Sequence, residues 1–109
     1  MAFVKAVETA EVPVGKMKKV ELGGKEILIA NVEGKYYAIP DRCTHRKGDL
    51  SIGSLKGKIV TCPLHGSQFD VTTGKNIRGP KMLLMRGKTA DESTFEVKLE
   101  GKHVMVKID

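Results

Sequence analysis

The sequence has only two cysteines in 109 residues. That excludes the disulfide framework of a small secreted scaffold and leaves metal binding or catalysis as the use of the thiols. Aromatic residues are 5% of the chain and do not interleave with its lysines. The stacking platform of a single-strand nucleic-acid binder is therefore missing, and no nucleic-acid partner is expected. No apolar run approaches the roughly 20 residues that span a bilayer, so no membrane segment is expected. The first residues, MAFVKAVETA, lack the apolar core of a secretory signal, which points to a cytoplasmic protein. Repeats and low-complexity tracts are absent as well.

What is present is a chain that can fold as one domain, residues 1–109. Apolar residues are 40% and charged residues of both signs 29%, enough for a modest core and too apolar for disorder. The formal net charge is +6, with lysines spread along the chain. Such a surface is either simply solvated or docks a partner with an acidic face.

Short β-type runs alternate with turn signals. FVKAV (3–7) is a first strand. KMKKVEL (16–22) ends at Gly23-Gly24, a hairpin signal, and KEILIANV (25–32) follows. KYYAI (35–39) ends at Pro40. GKIVTC (57–62) and QFDVTTGK (68–75) are next, and FEVKLE (95–100) with KHVMVKI (102–108) makes a last hairpin. Seven or eight strands at this spacing predict an all-β fold, an antiparallel sandwich or small barrel. The 82–94 stretch reads as a helical turn or an irregular loop, and His103 as a half-exposed residue of the last strand.

Both cysteines and two of the three histidines fall in one segment, as Cys43-x-His45 and, sixteen residues on, Cys62-x2-His65. Each pair lies in a loop beside a strand, and two such loops can meet at their tips. Thiolate and imidazole together suit zinc, or iron with inorganic sulfide. A common zinc finger takes two cysteines from a hairpin and two histidines from a helix. Here each loop supplies one of each, and no helix is in sight. Two readings stand: a non-standard zinc site stabilising an interaction module with no redox role, or a two-iron cluster whose second iron is held by two histidines.

CTHRKGDLSIGSLKGKIVTCPLHGSQFDVTTGK resembles the Rieske signature of the soluble Rieske ferredoxins and of ring-hydroxylating oxygenases, most closely over residues 36–75. The resemblance implies three stacked antiparallel sheets, with a small cluster-binding subdomain at one tip (loops about 40–80). It implies one 2Fe–2S cluster, with Cys43 and Cys62 on the inner iron and His45 and His65 on the outer. Gly66 matches a position where backbone amides approach sulfur, and Pro63 stiffens that loop. Gly79-Pro80 resembles the third, proline-bearing loop over the cluster. The function implied is that of an electron carrier with no catalytic site of its own, passing electrons from a reductase to a terminal oxygenase or another redox protein. A small Rieske subunit of another oxidoreductase, such as nitrite reductase, is the alternative within the family.

The departures are informative. Gly48 and Leu64 stand where respiratory Rieske proteins carry two bridging cysteines. Ser67 stands at the serine position that hydrogen-bonds cluster sulfur, but Phe69 replaces a tyrosine. One lost hydroxyl implies a midpoint in the lower part of a range of about −150 to +300 mV. Met82, Leu83, Leu84 and Met85 either close the core or form an apolar patch beside the cluster.

Overall fold

The computed structural model describes residues 2–42, 49–63, 66–78, 81–82, 85–86 and 91–108. Among them are twelve strands, two short 3-10 turns (Thr9–Glu11 and Leu50–Ile52) and no α-helix. In chain order the strands are β1 (Ala2–Glu8), β2 (Met17–Leu22), β3 (Lys25–Val32), β4 (Lys35–Pro40), β5 (Ser54–Lys56), β6 (Ile59–Thr61), β7 (Gln68–Asp70), β8 (Asn76–Arg78), β9 (Lys81–Met82), β10 (Met85–Arg86), β11 (Val97–Glu100) and β12 (His103–Ile108).

Two-residue turns set the central meander β2-β3-β4. Leu22 pairs with Lys25 across Gly23-Gly24, and Val32 with Lys35 across Glu33-Gly34. All four turn residues have positive φ, which is what the right-handed twist of a tight hairpin demands. Among the described residues, Glu33 is the one non-glycine to adopt it. Asn31 holds that turn: its Oδ1 accepts from Gly34 N at 2.9 Å, while its Nδ2 donates to the Val12 carbonyl at 2.9 Å.

Ile27, Leu28, Ile29 and Ala30 are consecutive and all fully buried. An unbroken apolar run means that β3 is covered on both faces. Leu28, Ala30 and Ile39 pack with Val60, Phe69 and Cys62 on one side. Ile27, Ile29 and Ala38 pack with Val7, Val104 and Val106 on the other. The outer layers are the three-stranded sheet β1-β12-β11 and the four-stranded sheet β5-β6-β7-β8, all antiparallel. The expected three stacked antiparallel sheets are therefore observed, with β2-β3-β4 in the middle.

The strand count differs from seven or eight. β5 and β8 are three residues each and take their order from pairing with β6 and β7. Within 82–94, β10 pairs with β9, Met85 opposite Met82, so that part is extended rather than helical. Leu83 and Leu84 lie outside the described residues. Phe95 joins as an isolated bridge to Ala38. His103 is exposed at the start of β12, opposite Glu8 and Glu100. Among the described residues, no helix is long and apolar enough to cross a membrane.

Candidate metal centre

Cys62 leaves β6 and re-enters β7 through a tight turn. Its N–H donates to the Ser67 carbonyl at 2.7 Å, and its own carbonyl accepts from Gly66 N at 3.2 Å. Gly66 has φ +77°, a left-handed conformation that glycine adopts without a steric cost. Cys62 is almost wholly buried, in the same apolar cluster as Leu50, Val60 and Phe69. Pro63 is exposed at the turn. Phe69 is fully buried on the inward face of its sheet, across from Val60.

Ser67 is fully buried, and its Oγ has no hydrogen-bond partner. A buried hydroxyl without an acceptor costs about 1–3 kcal/mol. Two residues past His65 and five past Cys62, it stands where a sulfur acceptor would satisfy it. The residues present thus fit a cluster carried by these loops.

The first loop is gathered at its neck. Leu50 N donates to the Asp41 carbonyl at 2.8 Å, and Arg42 bridges Asp49. The Asp41 side chain is fully buried. Its Oδ1 accepts from Ser51 N at 2.8 Å and its Oδ2 from Ser51 Oγ at 2.9 Å. Burial raises its carboxyl above the ordinary range, against the opposing pull of the Ser51 hydrogen bonds. Outside the neck, Lys19 Nζ lies 3.1 Å from Glu26 and 3.3 Å from Asp49, and Arg42 Nε lies 3.0 Å from Glu26. Hydrogen bonds from Lys19, then Arg42, hold the Glu26 carboxyl below its usual range. Four side chains thus strap the neck to β2 and β3 by partly exposed pairs, each of small individual worth.

The two loop bases touch. A Cβ on Gly53, just after the first loop, would lie 1.8 Å from the carbonyl oxygen of Thr61, the residue before Cys62. Only glycine permits that approach. Asp41 and Gly53 were not singled out by the ligand spacing. The signal available for Asp41 was an acidic residue between Pro40 and the first ligand loop.

Of the four predicted ligands, Cys62 is in the core turn just described. Cys43, His45 and His65 lie outside the described residues, as do Gly48, Leu64 and Gly79-Pro80.

Comparison with known proteins bears on the same segment. A family model for the Rieske [2Fe-2S] domain matches residues 2–85. The ferredoxin component of a naphthalene 1,2-dioxygenase system from Pseudomonas aeruginosa is 37% identical over 106 residues, 97% of this chain and 95% of that protein. The ferredoxin component of biphenyl 2,3-dioxygenase from Rhodococcus jostii (strain RHA1) is 37% identical over 109 residues, 100% of this chain and 95% of its own length. Among solved structures, a chain from the complex of reduced oxygenase and oxidised ferredoxin in carbazole 1,9a-dioxygenase superposes with a TM-score of 0.84 at 30% identity. That match covers 95% of this chain and 100% of the other.

Proposed function

Because the chain belongs to the Rieske [2Fe-2S] domain family, we propose that Cys43, His45, Cys62 and His65 hold its cluster. We propose further that residues 1–109 act as one domain carrying single electrons from a reductase to the terminal oxygenase of an aromatic compound. Bound there, a two-iron, two-sulfide cluster supplies one-electron redox chemistry. The observation that carries the reading is the buried Ser67 hydroxyl with no partner, beside the Cys62 turn. The near full-length likeness to ferredoxin components supports the carrier role over an enzymatic one.

The chain's own residues do the holding. The Cys62–Ser67 turn keeps its ligands on a short, internally hydrogen-bonded loop, and Pro63 limits the backbone between them. Asp41 and Ser51 close the neck of the other loop; Gly48 of that loop and Leu64 of the Cys62 turn stand where respiratory Rieske proteins carry the bridging cysteines. Phe69, packed in the core, excludes water from the inner side and offers sulfur no hydrogen bond. The excess of basic residues supports partners with an acidic docking face.

Ser67→Ala separates a structural from an electronic role. Deleting an unpartnered hydroxyl leaves the cluster-free protein no less stable. In the loaded protein, a lost hydrogen bond to sulfur lowers the midpoint by on the order of 60 mV, the one-electron equivalent of about 1.4 kcal/mol. A redox titration of both proteins checks this, and an unmoved midpoint contradicts it.

A further inference from the structure

We infer that the outer face of the β5-β6-β7-β8 sheet is the docking surface for an acidic face on a redox protein partner. This rests on the carrier reading and specifies where on the chain the encounter occurs.

The charge is divided along the chain. Between Leu50 and Ala90 lie seven of the nineteen basic residues and one of the thirteen acidic ones, a net +6. The remainder has twelve of each, so the whole formal charge of the protein belongs to that stretch. The lysines are spread, but the carboxylates avoid this segment.

Strand register gives part of that charge, Lys56 and Arg78, a face. Leu55, Val60 and Phe69 point inward to the core. Alternation then turns the flanking rows outward. One row is Lys56, Ile59 and Asp70, and the other is Ser54, Thr61, Gln68 and Arg78. Asp70 is the segment's only carboxylate. It is nearly buried, accepts from Thr72 N and Oγ1 at 2.8 and 2.6 Å, and lies 3.3 Å from Lys58 Nζ. Among the described residues Lys56, Lys75 and Arg78 are exposed and make no ion pair, and the acid set against this sheet is Asp91, whose Oδ1 accepts from Asn76 N at 2.7 Å.

The face also adjoins the metal centre. Thr61 and Gln68, joined by a 3.3 Å hydrogen bond, immediately flank the Cys62–Ser67 turn. A bulge in β8 leaves Ile77 half exposed beside Arg78, and Ile52 is 71% exposed at the end of the first loop's neck. Apolar side chains at the margin of a predominantly positive field are what a short-lived docking surface needs: the field steers the encounter and the apolar contact seats it.

The test uses the cluster-loaded protein reduced with dithionite. One electron passes to the Cu(II) of plastocyanin, an acidic blue-copper protein, giving Cu(I). The rate should fall with rising salt. Lys56→Glu with Arg78→Glu should slow it at low salt by at least about fivefold, within the 10- to 1000-fold reach of steering. Lys35→Glu with Lys102→Glu makes the same change of charge on the balanced part of the chain and should slow it less than about twofold. With basic cytochrome c as oxidant, the first pair should speed the reaction. Carbodiimide cross-linking to plastocyanin should join its carboxylates to Lys56, Lys58 or Lys75. Equal slowing by both pairs, or cross-links confined to other lysines, overturns the face and leaves the carrier reading intact. A single-stranded oligonucleotide bound in a manner abolished by the first pair, with the plastocyanin rate unmoved, assigns the face to nucleic acid and overturns it too. A protein that takes no electron from dithionite overturns the carrier reading itself.

Discussion

Gly53→Ala should lower stability by about 3 kcal/mol or more and leave little protein able to hold a cluster. The added carbon would sit 1.8 Å from the Thr61 carbonyl oxygen, with the Leu50 carbonyl oxygen 3.2 Å away. Both neighbours are backbone, so no side-chain rotation relieves the overlap. Thr61 cannot retreat freely, because it pairs with Ser54 on one side and Gln68 on the other. The relief left is to part β5 from β6, which separates the bases of the two ligand loops. For a domain of this size, the loss corresponds to a fall in Tm of roughly 12 °C or more. Thermal unfolding with iron and sulfide analysis checks it. A Gly53→Ala protein with native Tm and full iron content contradicts the close contact.

Asp41→Ala should be comparably severe, and Asp41→Asn mild. Removing the carboxylate strands the part-buried Ser51 N–H and Oγ together, and hydrogen bonds to a charged group are worth about 1.5–3 kcal/mol each. Asparagine keeps an acceptor for Ser51 N and offers its Nδ2 to Ser51 Oγ. Burial already disfavours the charge at this position, so a neutral isostere gives up little. The expected loss is about 3 kcal/mol for alanine and under about 1 kcal/mol for asparagine. Loss of cluster to a chelator should quicken for alanine and stay near native for asparagine. Equal behaviour of the two variants would deny the Asp41–Ser51 contact a role in closing the first loop.

These two residues mark the boundary of what the sequence made legible. β3 was readable to the residue, because Gly23-Gly24 and Glu33-Gly34 bracket it and both turns need positive φ. The central position of its sheet was written in the run Ile27–Ala30, which does not alternate. The ligands stood out by residue type and spacing alone. What holds them did not. Asp41 meets Ser51 ten residues on, and Gly53 meets Thr61 eight residues on, through contacts with no period and no motif. β5 and β8, at three residues each, carry too little pattern to distinguish them from loop. The 85–86 strand was masked by an apolar cluster with helix-like spacing. The proposed docking face needed register, because the spread of lysines hides how few acids lie between Leu50 and Ala90.

The reading turns on mixed cysteine and histidine ligation of a two-iron cluster. The electron paramagnetic resonance spectrum of the dithionite-reduced protein tests that most directly. Ligation by Cys43, Cys62, His45 and His65 predicts the rhombic signal of one unpaired electron, with an average g value clearly below that of an all-cysteine cluster. An average g in the all-cysteine range, or a colourless protein that stays silent and carries zinc, would contradict it.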